Sequence, residues 1–173
     1  PSATAVESIQ YDNAFRMCFS DPNQGSASAD YIADNNLAKK VAVIYNSSDT
    51  YSSGIYQNFV TEAEKKGLEV VAAKAFTADN KTDFSVQIQK AKDAGAELVF
   101  LPIYYQEASL ILAQANKAGF SPKWFGCDGM DGILDLEGFD ASLAENLMFL
   151  TPFTANATDD ATQKFVADFK DAF

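Results

Sequence analysis

A net charge of −11 carried by 173 residues without a single histidine excludes several classes of function before any element is placed. Nucleic acid and anionic membrane surfaces are poor direct partners, because both are gripped by clustered Lys and Arg. At 47% hydrophobic and 21% charged residues the chain suits one soluble globular domain, and no apolar run approaches the roughly 20 residues of a membrane-spanning helix.

Pro1 is not an initiator and no secretory leader is visible, so the chain is expected to begin inside a longer precursor. Residues 1–20, through Phe15-Arg16-Met17-Cys18-Phe19, predict an extended approach containing a strand. Asp21-Pro22 predicts a turn, and residues 26–37 a helix with Ala29, Ile32 and Ala33 inward. A unit then repeats: a strand over 41–45, a helix over 54–66 with Ile55, Phe59, Val60 and Ala63 on one face, and Gly67 as its stop. A strand over 68–73 and a helix over 83–94 follow, the helix facing inward through Phe84, Ile88 and Ala91 and stopped by Gly95. The strand over 97–103 leads to a helix over 106–118, stopped by Gly119. The strand over 123–126 precedes a Gly-rich loop, a short helix near Ile133 and a strand over 147–150. Residues 159–173 predict an amphipathic helix bearing Phe165, Val166 and Phe169.

Strand starts recur about every 25–30 residues, the length of a βα unit closed by a right-handed crossover. Val99-Phe100-Leu101 is apolar without alternation, as a strand covered on both faces must be. The fold class is α/β: a parallel five-stranded sheet with helices on both faces. Ligands of such sheets bind beyond the carboxyl ends of the strands. There the chain places Tyr51, the Tyr104-Tyr105 pair, and Cys127-Asp128-Gly129. Two phenols and a carboxylate suit a cationic ligand, an amine above all.

Each of these residues also has a plainer reading. Asp128 accepts charge-assisted hydrogen bonds from an ammonium, or it caps its own turn. Tyr104 and Tyr105 stack on a ligand or cover the sheet edge, and one of the two is expected to do the latter. Cys18 and Cys127 are too few for a disulfide scaffold and are expected to be buried thiols, with a disulfide as the alternative. Without histidine, Ser-His-Asp and Cys-His catalysis and most zinc sites drop out. Neither a P-loop nor a dinucleotide fingerprint is present, and Gly126, Gly129 and Gly132 fit a tight loop. A phosphoacceptor at Asp49 is poorly placed in a polar loop. No enzymatic chemistry, cofactor or metal is expected. Asn46, Asn80 and Asn156 open N-x-S/T triplets that carry no weight alone.

Taken together, Pro1-Ser2-Ala3-Thr4, Phe15-Arg16 through Gln24-Gly25, 41–51, Asp83-Phe84-Ser85, Tyr104-Tyr105-Gln106-Glu107, Gly119-Phe120, Phe125-Gly126-Cys127-Asp128-Gly129 and Thr151-Pro152-Phe153 make a pattern. It resembles the type I periplasmic binding proteins, specifically the branched-chain amino-acid (Leu/Ile/Val) binding subunits of ABC transporters. The resemblance implies one lobe of a two-lobed, hinged protein. Residues 1–20 would be the hinge approach, 21–149 the second ligand-binding lobe, and 150–173 the return into the first. It implies that Asp128 meets a ligand ammonium, that Ser2 and Thr4 assist, and that Tyr51 and Tyr104 line the wall. Asp128 stands where the amino-acid binders of the family carry Glu, and Ser2 stands at an alanine-like position. An amino acid or related amine, a membrane permease and a periplasmic or extracellular setting, with or without a lipid anchor, follow from the same resemblance. So does self-association of an isolated lobe through Phe165, Phe169 and Phe173. The rival on the same fold is a sensory or regulatory ligand-binding domain.

Overall fold

The computed structural model describes residues 10–16 and 18–173. The elements run α1 (Asp21–Asp34), β1 (Lys40–Asn46), α2 (Thr50–Lys66), β2 (Glu69–Phe76), α3 (Ser85–Asp93), β3 (Leu98–Leu101), α4 (Tyr105–Lys117), β4 (Lys123–Gly126), β5 (Leu147–Phe149) and α5 (Asp160–Ala172). Short 3-10 turns at Asp128–Met130, Ile133–Asp135 and Ala141–Ala144 bridge β4 and β5. The five strands form one sheet in the order β2-β1-β3-β4-β5, and every neighbouring pair is parallel.

Side chains of a strand alternate between the two faces of its sheet, and here the alternation sorts the core in two. Val41, Val43, Leu98, Phe100 and Phe125 join Ala29, Ile32, Ile55, Phe59 and Ala63 beneath α1 and α2. Ala42, Ile44, Val99, Leu101 and Trp124 join Ile88, Ala91, Ile111 and Leu112 beneath α3 and α4. Phe59 stacks on Phe100 at 4.1 Å between ring centres, tying α2 to β3. Trp124 meets Phe120 edge-on at 6.3 Å on the opposite face. The expected sandwich of helix, sheet and helix is therefore realised, and Gly67, Gly95 and Gly119 all end helices at positive φ.

Three local expectations are corrected. No strand forms among the described residues between 10 and 20: Phe15 is 76% exposed there, and no sheet edge supplies ladder partners. Asp21-Pro22 is not a turn but the first turn of α1. Proline is tolerated at that point because its missing N–H would have had no helical acceptor anyway. Ser20 caps the helix by accepting from the Asn23 N–H at 3.3 Å. The second helix begins at Thr50 rather than at residue 54, because the Asp49 carboxylate accepts from the N–H groups of Tyr51 and Ser52. The short helix expected near Ile133 does form, as a 3-10 helix over Ile133–Asp135.

Cys127 is a free thiol buried in the α1/α2 cluster. Burial in apolar surroundings pushes its thiol up, so it stays protonated and unreactive. The α5 helix, capped by Asp159, leaves Phe165 and Phe169 more than half exposed. A run of ring contacts joins Phe153, Phe165, Phe169 and Phe173 along it.

Candidate functional site

In a sheet of this order the chain reverses its direction of winding between β1 and β3, and ligands bind in the crevice that opens there. The loops after β1, β3 and β4 meet at that point. Asp49 ends the β1 loop as the cap of α2, so Tyr51 lies in the first helical turn instead of a polar loop. Tyr104 sits immediately before α4. Asp128 opens the 3-10 turn two residues past β4.

These three residues are brought together. The Tyr51 and Tyr104 rings stack with centres 4.9 Å apart and planes 20° from parallel. The Tyr51 hydroxyl donates to Asp128 Oδ1 at 2.7 Å and accepts from the Gly129 N–H at 3.0 Å. Gly129 has to be glycine, since a Cβ there would lie 2.8 Å from the Tyr51 hydroxyl and 2.9 Å from the Ile103 carbonyl oxygen. Tyr105 turns away and packs against the α3/α4 cluster, so the pair divides as expected. Ser2 and Thr4 lie outside the described residues.

The capping alternative for Asp128 is not what forms. Its carboxylate instead accepts from groups far away in sequence, the Tyr51 hydroxyl and Gln24 Nε2. Gln24, 1% exposed on α1, donates from Nε2 to Asp128 Oδ1 at 2.9 Å. In return the Asp128 N–H donates to Gln24 Oε1 at 3.0 Å. Gln24 Nε2 also faces Asp21 Oδ1 at 3.3 Å, and Asp21 is itself buried. The amide orientation is dictated by these partners, because two carboxylate oxygens demand the NH₂ and a backbone N–H demands the oxygen. Gln24 escapes a hydropathy reading, which expects apolar side chains on the inner face of a helix. Its neighbour Gly25 lies at a close contact between α1 and α2, where a Cβ would fall 2.3 Å from the Ile55 carbonyl oxygen.

The electrostatics are those of a cation acceptor. Burial first, and then the neighbouring Asp128 carboxylate, push the Tyr51 hydroxyl well above the ordinary phenol value. Burial likewise raises Tyr104, assisted by Asp49, Asp21 and Asp128. Both phenols are therefore neutral donors at physiological pH. The negative charge resides on carboxylates grouped around them, which favours a positively charged guest. Tyr104 is 46% exposed and offers a ring face to such a guest. Among the described residues no cluster of three or more Cys, Asp or Glu side chains is arranged to hold a metal.

Known proteins resemble the chain as a whole. The periplasmic binding protein family matches the chain over residues 1–173. The Leu/Ile/Val-binding protein homolog 3 of Brucella melitensis is 35% identical over 119 residues, 69% of this chain and 32% of that protein. The leucine-, isoleucine-, valine-, threonine- and alanine-binding protein of Pseudomonas aeruginosa is 30% identical over 88% of this chain and 40% of its own length. Among solved structures, the branched-chain amino acid transporter substrate binding protein LivJ from Streptococcus pneumoniae, in complex with isoleucine, superposes with a TM-score of 0.84 at 28% identity. That superposition covers 98% of this chain and 48% of LivJ. The chain thus spans less than half the length of these relatives. The parallel sheet, the crevice at its winding reversal and a match that runs from the first residue to the last agree, and the chain belongs to the periplasmic binding protein family.

Proposed function

We propose that this chain is the second lobe of a substrate-binding protein of an ABC transporter, taking an amino acid of the branched-chain kind or a related amine in a cleft between two lobes. The observation that carries the reading is the Asp128 carboxylate, held by Tyr51 and Gln24 at the mouth of the crevice. A partly buried carboxylate beside a stacked tyrosine pair suits an ammonium with an apolar side chain. Relatives named for Leu, Ile and Val binding support that choice. Asp128 pairs with the ammonium, Tyr51 and Tyr104 form the wall, and Ser2 and Thr4 add hydroxyls from the hinge side.

In this reading residues 1–20 approach from the first lobe, 21–149 form the second, and 150–173 return to the first. The phenylalanine face of α5 then packs on that first lobe, and it is the surface through which an isolated lobe would self-associate. Ligand favours closure because only the closed form offers contacts from both walls. The protein works in the periplasm or at the outer cell surface, free or lipid-anchored, and hands its ligand to a membrane permease. It carries out no covalent chemistry and uses no cofactor.

Thermal unfolding of the full-length protein against a panel of L-amino acids, amines, sugars and nucleobases tests this. Ligand at a hundred times its dissociation constant adds about 2.7 kcal/mol of stability. A rise in Tm of several degrees is expected with one or more branched-chain L-amino acids. A rise confined to sugars or nucleobases would overturn the assignment while leaving the fold.

A further inference from the structure

The two oxygens of Asp128 are not equivalent. Oδ1 accepts from the Tyr51 hydroxyl at 2.7 Å and from Gln24 Nε2 at 2.9 Å. Oδ2 receives no hydrogen bond from any described residue and is not among the buried orphan atoms. Gln24 grips the residue twice, by the side-chain oxygen and by the backbone N–H, so the carboxylate cannot swing to exchange the roles of its oxygens. Gln24 is itself immobilised, being 1% exposed and tied to Asp21. The helix that carries it cannot drift, because Gly25 sits against the α2 backbone.

We propose that Gln24 is a positioning residue that turns Asp128 into a one-oxygen acceptor, and that the site thereby selects a ligand ammonium over a guanidinium. The inference rests on the reading of Asp128 as the ammonium partner. An ammonium needs only one N–H···O contact from a given carboxylate and spends its other protons elsewhere. A guanidinium binds a carboxylate best through two parallel bonds, one to each oxygen. With Oδ1 already holding two donors, that fork has no second tooth to meet.

Calorimetric titration of the full-length protein with L-leucine and with its α-guanidino analogue tests the proposal. Gln24→Met keeps the length and apolar volume while removing the donor and acceptor, and it is expected to weaken leucine binding about tenfold. Because Gln24 acts through Asp128, Gln24→Met combined with Asp128→Asn is expected to bind leucine no more weakly than Asp128→Asn alone. Penalties that add would show Gln24 acting independently of Asp128 and overturn the proposal, as would unchanged affinity in Gln24→Met. Should Gln24→Met not fold, Tyr51→Phe removes the other Oδ1 donor and is subject to the same comparison. Relieving Oδ1 of one of its two donors in either variant is expected to narrow the preference for leucine over the guanidino analogue, and an unaltered preference would overturn the selectivity. Failure of the underlying reading shows separately, as undiminished leucine binding by Asp128→Asn in an otherwise unchanged protein.

Discussion

Asp128→Asn in the full-length protein is expected to weaken binding of a branched-chain L-amino acid by more than tenfold while leaving the fold intact. The replacement is nearly isosteric, and its amide oxygen can keep both donors that now reach Oδ1, the Tyr51 hydroxyl and Gln24 Nε2. What changes is the other half of the group. The new NH₂ takes the place of Oδ2, so a donor faces the ligand's donors and the negative charge is gone. A hydrogen bond to a charged group is worth about 1.5–3 kcal/mol, which is about one to two orders of magnitude in affinity. Calorimetry with leucine, isoleucine and valine measures it, and unchanged dissociation constants would remove Asp128 from the ammonium site.

Gly25→Ala is expected to produce the largest loss of stability of any single methyl addition on α1. The added carbon would sit 2.3 Å from the Ile55 carbonyl oxygen and 2.8 Å from the Phe59 backbone nitrogen. Both obstacles are main-chain atoms of α2, so relief requires moving a whole helix rather than a rotamer. Overpacking of this kind costs about 3 kcal/mol, which lowers the Tm of a domain this size by roughly 6–12 °C. Gly54→Ala is the matched control. It lies inside α2 with nothing within 4 Å of its added Cβ, and alanine there is expected to raise stability by about 0.5–1 kcal/mol. Thermal unfolding of the two variants should move in opposite directions. Since Gln24 and Tyr51 ride on the two helices that Gly25 holds together, Gly25→Ala should also weaken ligand binding.

The regular part of the molecule was legible in the sequence because the signals there are local. The strand over 123–126 appears where its apolar run placed it, and Gly67, Gly95 and Gly119 end their helices. The gathering of Tyr51, Tyr104 and Asp128 followed from the rule that connects parallel strands to a crevice at their carboxyl ends. Three things were not legible, for physical reasons. Pro22 reads as a breaker unless the helix is known to start at that point, since proline is excluded from a helix interior and tolerated in its first turn. Asp49 reads as loop until its cap bonds to α2 are seen. Gln24 is a polar side chain on an inward face, and what makes it acceptable there is a partner 104 residues away. Long-range satisfaction of a buried amide leaves no periodic trace.

The separation of the core into two clusters has an optical consequence. The chain's single indole, Trp124, is buried with Phe120 on the α3/α4 side of the sheet. Gln24, Tyr51 and the strand-end that carries Asp128 are rooted in the cluster on the other side. Indole emission therefore reports the surroundings of the α3/α4 face and is nearly blind to what occupies the crevice. A sensor built on this chain has to bring its own chromophore to the Tyr104 rim.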